Sequence, residues 1–237
     1  MALPAEHGGW GLLLEPIVLA LLVAPSLPGL LIATGATAAF LMRHPLKLAA
    51  RDWLQRRRYP RSRVCEMLAA TYGAAAFLAF AGAWRMTGVL PFVALVIALK
   101  LAAVQFFYDV RNRGRLPIPE FFGAVAAAPI AAAIALAGGR TVLMAAALST
   151  LAITRSIPAV LYVRAALRNE RRAWMLIAHA AAVAVAAFIS WIAALAMAIL
   201  FVRAVVPVGG VRAQTIGFRE VGWGALTVLL IAISYYI

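Results

Sequence analysis

Residues 173–206 read AWMLIAHAAAVAVAAFISWIAALAMAILFVRAVV, a run with no proline or glycine and no formal charge before Arg203. One membrane crossing takes about 20 apolar residues, with about 17 as a lower bound. The run is therefore long enough for two crossings. Length alone divides it near Ser190, into helices at 173–189 and 190–206. That division decides whether the chain has eight helices or nine, and on which side of the membrane everything after it falls.

Outward from this run lie seven further apolar segments, at 8–24, 27–42, 64–82, 89–107, 119–137, 141–161 and 220–237. Turn chemistry separates them: Pro25-Ser26-Leu27-Pro28-Gly29 between the first two, Gly138-Gly139-Arg140 between the fifth and sixth. Of the 237 residues 65% are hydrophobic and 13% charged, with a mean hydropathy of +0.95. Soluble domains carry about 45–50% apolar and about 25% charged residues. In lipid the backbone must satisfy its own hydrogen bonds, and long apolar runs exclude the alternating pattern of a barrel. The expected fold is all-α: a polytopic transmembrane bundle of about nine helices, in a single transmembrane domain over 1–237.

Charge tests the division at Ser190. With nine helices and a cytoplasmic N-terminus, the cytoplasmic segments 43–63, 108–118, 162–172 and 203–219 hold 8, 3, 4 and 3 basic residues. That is 18 in all, against Arg85 and Arg140 in the external turns. Cytoplasmic loops carry the excess of Lys and Arg in membrane proteins. Merging 173–206 into one helix would move Arg203, Arg212 and Arg219 outside, so charge favours the split and an external C-terminus. The net charge of +14 then marks orientation and contact with anionic headgroups, not a nucleic-acid partner. Cys65 is the only cysteine, so no intrachain disulfide forms. The opening residues lack the positive region of a signal peptide, and the first apolar run is expected to be a retained helix.

Three basic clusters fall on the cytoplasmic side. The first runs from Arg43 and His44 through Pro45, Lys47 and Arg51 to Arg58. Pro45 disfavours helical geometry at His44 and is welcome in a first turn. The spanning helix is thus expected to end there, and an amphipathic surface helix to follow. Lys47 and Arg51 either anchor it on anionic lipid or turn toward a bound anion. The second cluster holds Arg111 and Arg113. The third, from Tyr162 to Arg172, places Arg164 and Arg168 one turn apart on one face, spaced by alanines. That suits forked guanidinium contacts to a phosphate.

Ionisable residues within the apolar runs carry more weight. A charge at a helix centre costs about 2.5–3.5 kcal/mol on insertion scales, and so tends to face the bundle interior. Glu15, Glu66, Lys100, Arg155 and His179 qualify. His7, Gly11 and Glu15 stack at successive turns, with Gly11 leaving a gap; His7 and Glu15 are candidate catalytic groups. Alternatively, Glu15 is a buried partner of Lys100 or Arg155. His179, among alanines, reads as a hydrogen-bonded packing residue. The eight acidic residues never come within four positions of each other. No metal-ligand spacing, nucleophile elbow or phosphate loop is present, so no metal and no cofactor is expected.

Glu6-His7-Gly8-Gly9-Trp10-Gly11 leading to Glu15-Pro16, with Leu161-Tyr162-Val163-Arg164 and Arg168 later, resembles the YwiC-like family of bacterial membrane proteins, from residue 5 to about residue 190. The resemblance implies the bacterial cytoplasmic (inner) membrane. More distantly, the layout is similar to the UbiA superfamily of intramembrane prenyltransferases, whose nine helices surround a cavity with catalytic loops after helices 2, 4 and 6. The basic loops here occupy those places, and Gly123 to Pro129 resembles that family's Gly-rich fifth helix.

The chemistry departs from that pattern. UbiA enzymes hold magnesium and a prenyl pyrophosphate on an Asn-Asp-x-x-Asp-x-x-x-Asp motif. Aligned by its Asn, that motif falls on Arg43, His44, Lys47 and Arg51, while Arg164 and Arg168 stand where a later Asp-x-x-x-Asp would be. Hard cations need oxygen ligands, so magnesium is lost. A phosphate or carboxylate can still sit on Arg and Lys directly. Three functions follow. The first is a basic, cytoplasm-facing cavity for an anionic amphiphile, such as a polyprenyl phosphate, phospholipid or quinone precursor. The second is a metal-independent UbiA-like transferase with His7 as base. The third is a transporter or helper subunit of a membrane complex. The ligand-binding candidates are Arg43, His44, Lys47, Arg51, Arg111, Arg113, Tyr162, Arg164 and Arg168.

Overall fold

A computed structural model of the protein describes residues 7–56, 59–114, 116–168, 172–206 and 212–236, with the side chains of residues 7, 8 and 168 outside that description. The described residues form ten helical segments and no strand. In order they are α1 (His7–Val23), α2 (Leu27–Leu54), α3 (Pro60–Thr87), α4 (Leu90–Val110), α5 (Pro117–Ala126), α6 (Ala128–Ala137), α7 (Val142–Arg168), α8 (Arg172–Ala187), α9 (Trp191–Val205) and α10 (Ala213–Ile233). α5 and α6 are halves of one span, Pro117–Ala137, so the helices among the described residues number nine. The interruption has a local cause. Pro129 has no N–H to give the carbonyl one turn back, and Ile130 N bonds instead to Ala127 O at 3.1 Å.

The long run that opens the sequence breaks between Ala187 and Trp191. Ser190 is extended there, with φ −158, and its side chain accepts from Ala193 N at 3.5 Å as the N-cap of α9. A serine oxygen satisfies a donor that the start of a helix leaves orphaned, which lets the chain reverse without proline or glycine.

The expected break at Pro45 does not occur. α2 runs on through Pro45 to Leu54, and the separate surface helix expected after His44 is its last turns. Proline in a helix interior forfeits one backbone bond, but Pro45 is fully buried and α3 packs along α2 over much of its length. Past the apolar part of the pair, Asp52 accepts from Arg61 (3.1 Å) and from Ser62 Oγ (2.7 Å). These bonds, the one from Arg61 foremost, hold the Asp52 carboxyl below its ordinary range.

The core centres on α6, where all residues but Leu136 are buried. Its alanines let α1, α2, α4 and α7 approach closely. Leu13, Ile17, Ile32, Leu148, Leu151, Met197 and Ile231 complete the centre. The outer surface is apolar, with Phe188 93% and Leu143 82% exposed. Five helices are long and apolar enough to cross a membrane, and α1, α8 and α9 are shorter apolar helices. Such a surface is stable only against lipid; this is an integral membrane protein.

Candidate functional site

A cavity of about 1460 Å³ opens among α1, α2, α4, α5, α7 and α10. Its polarity is graded along the helices. Arg43, Gln105, Glu120, Arg164 and Gln214 line one end, where α4 and α7 finish and α5 and α10 begin. Ala36, Phe80, Trp84, Phe92 and Ile130 line the other. From Gln105 to Phe92 along α4 is thirteen residues, roughly 20 Å at the rise of an α-helix. Gly123 faces the Gln105 amide so closely that any Cβ there would overlap it.

Two groups of charges meet this end of the cavity. Arg43 donates to Asp109 Oδ2 from Nε (2.9 Å) and Nη2 (2.5 Å), and Lys47 Nζ lies 3.9 Å from Asp109 Oδ1. Across the turn that joins α4 to α5, Arg164 donates to Glu120. Both guanidiniums are thus aimed by a carboxylate.

Deeper on the wall formed by α1, α7 and α10 sits a third group. Arg155, 5% exposed, lies between Glu15 (Nε–Oε2 3.4 Å) and Glu220 (Nη2–Oε2 3.5 Å), and donates to the Glu220 carbonyl at 3.1 Å. Arg203 donates to Glu220 Oε1 and lies over the Tyr162 ring at 3.8 Å. The Glu15 carboxylate occupies a slot between Gly11 and Gly224, and a Cβ on Gly224 would overlap it. Arg155 and Arg164 are nine residues apart on α7, roughly 13 Å.

The residues expected from sequence divide accordingly. Arg43, Arg164 and Glu15 line the cavity, and Lys47 stands outside the lining, beside the Asp109 carboxylate that also holds Arg43. Tyr162 is buried beneath Arg203 and outside the lining. His44 and Arg51 stand on α2 away from the lining, and Arg111, exposed, lies over the Phe107 ring at 3.6 Å. Arg113 is exposed in the turn after α4. The side chains of His7 and Arg168 lie outside the described residues. Of the two partners considered for Glu15, Arg155 is the one in contact, while Lys100 is exposed. His179 is buried, its Nδ1 2.8 Å from Met175 O.

The lining is more balanced than the basic loops suggest. The described lining residues include three cations, Arg43, Arg155 and Arg164, and three carboxylates, Glu15, Glu120 and Glu220. Asp109, Glu120, Glu220, Arg203 and Gln105 were not marked out by sequence. Their pairings span tens of residues, so local spacing is silent about them. The usable signal is general: a charge in lipid needs a partner. Among the described residues no three of His, Cys, Asp and Glu come together to hold a metal ion.

Neither a curated protein nor a solved structure matches the chain. The family model described as YwiC-like protein matches residues 3–135. That stretch supplies Glu15, Arg43, Asp109 and Glu120 and stops short of Arg155 and Arg164 on α7. The match covers more than half of the sequence, and the chain belongs to the YwiC-like protein family.

Proposed function

We propose that the protein binds an anionic amphiphile, with the head group at the charged end of the cavity and the chain along α4 toward Phe92. The candidates are a polyprenyl phosphate, a phospholipid or a quinone precursor. One observation carries this reading: Arg43 and Lys47 share a single carboxylate, Asp109. One positive charge is therefore in excess at the end of the chamber that Arg43 lines. Arg164 adds a forked donor held in place by Glu120. Forked guanidinium contacts to phosphate oxygens are short and charge-assisted, and partial exclusion of water strengthens them. The volume exceeds the roughly 300–1,000 Å³ of ordinary small-molecule sites, as a long-chain ligand requires.

The loops after α2, α4 and α7 are where UbiA-like enzymes place their pyrophosphate machinery, and the likeness supports a head-group site at this end. Arg43, Lys47 and Arg164 stand in place of carboxylates, so recognition runs through cations without magnesium. In this reading the charged end faces the cytoplasm of a bacterial inner membrane, with the N-terminus inside and the C-terminus outside.

Native mass spectrometry of gently solubilised protein tests the proposal. The expected result is a co-purified anionic amphiphile that persists in EDTA and is lost in an Arg43→Ala variant. Protein that carries only neutral lipid, or whose ligand leaves with the chelated metal, would refute it.

A further inference from the structure

The cavity is not closed on the side of α4. Val96 and Leu99 line it and are 50% and 68% exposed. Ala102 and Ala103 line it and are exposed as well. The wall on this side is thin, because α3 barely touches α4. The reason lies in the packing. α3 leans along α2 and touches α4 chiefly where Phe80 and Trp84 stack edge-on against Phe92. The other link is ionic, from Arg43 and Lys47 on α2 to Asp109 on α4. Phe92 and Asp109 are seventeen residues apart, so the two links frame a window roughly 25 Å long. Its inner lip on α4 is methyl and alkyl groups, and it faces the hydrocarbon of the bilayer.

Lys100 stands on the exposed face of α4 next to this lip, at the eleventh of that helix's 21 residues. It is as far from both ends of the helix as a residue can be, too far for its side chain to reach either interface. Among the described residues nothing pairs with it. An unpartnered ammonium in that position is costly and marks a functional site by default. An anionic group arriving from the lipid would supply the missing partner.

We infer that the ligand enters sideways from the bilayer, through the window between the α2–α3 hairpin and α4, and that Lys100 meets its anionic head on the way to Arg43. The inference rests on the amphiphile reading above and adds its route and first contact. The chain slides over Val96, Leu99, Ala102 and Ala103 while the head passes from one cation to the next. No step exposes the chain to water.

Photolabelling of the full-length protein in phosphatidylcholine vesicles tests this, with a phosphatidic acid carrying a diazirine at its acyl end as the probe. Wild-type protein should be labelled on the inner wall near Ile130. Plugging the window with Leu99→Trp and Ala102→Trp, both on the α4 lip, should abolish that label. Lys100→Met should lower it about tenfold, the scale of one charge-assisted contact, and Lys100→Arg should restore it. A phosphatidylcholine probe should be indifferent to residue 100. Inner-wall labelling that survives both the plug and Lys100→Met overturns the route and leaves the amphiphile reading standing. No inner-wall labelling of the wild type overturns both. Crosslinks from position 100 to a second copy of the chain would show that the lysine serves an interface, and would equally overturn the inference.

Discussion

Arg155 and Glu15 lie 140 positions apart in the sequence and 3.4 Å apart in the fold. With Glu220 and Arg203 they form a neutral set of two acids and two bases, so charges that look prohibitive singly are tolerable together. Arg155→Met should strand Glu15 and cost about 3–5 kcal/mol, the scale of breaking a buried pair. Glu15→Met combined with Arg155→Met should cost less than the two single changes added. Chemical denaturation in detergent gives the three values, and strict additivity would show that the pair does not interact.

At the charged end the expected effect is on binding. Arg164→Ala should weaken the affinity for a polyprenyl phosphate by about 1.5–3 kcal/mol, as for a hydrogen bond to a charged group. Arg164→Lys should recover part of it, since lysine keeps the charge and loses the planar fork. Thermal shift with and without EDTA reads the effect. Stabilisation that disappears with the chelator would point to a metal held by residues outside those described.

Strong acid should loosen the junction of α2 and α3. The Asp52 carboxyl is held below its ordinary range by Arg61 and Ser62. Its contribution is therefore complete above the unfolded-state value of about 3.9 and is lost as pH falls through the lower folded value. The wild-type melting temperature should drop in that acid window, while Asp52→Asn should be lower throughout and flatter across it. Parallel pH curves for the two proteins would exclude Asp52 as the cause.

Topology follows from the break at Ser190. Reporter fusions after Arg212 should read as cytoplasmic and fusions after Ile237 as external. An external Arg212 would put an odd number of crossings where α8 and α9 are drawn as two, and would reverse the charge balance of the last loop.

The class of fold was legible because lipid imposes one rule, long apolar runs between turn residues, and this chain obeys it from α1 to α10. Ser190 could be found by length, although its capping bond could not. Pro45 misled, because the local rule for proline yields when a neighbouring helix buries the position. At the charged end Arg43 and Arg164 were readable and their partners were not, while deeper in, Glu15 with Arg155 was one of the pairings expected. Arg43 and Arg164 belong to conspicuous basic clusters of the sequence, whereas Asp109 and Glu120 look unremarkable until α2 and α7 bring the arginines to them. Charge counted along a sequence gives orientation; charge counted around a cavity gives chemistry, and the second count needs the fold.

The methyl-lined centre of α6 has a mechanical consequence. Ala131, Ala133, Ile134 and Ala135 are wholly enclosed, leaving the helices around them no slack in which to shift. α2 packs against that centre as well, and compliance is left to α3, which meets α4 chiefly where Phe80 and Trp84 stack on Phe92. The depth of the chamber is thus set by α4, and its width depends on where α3 stands. On the amphiphile reading proposed above, such a chamber discriminates sharply at the head group and loosely along the tail.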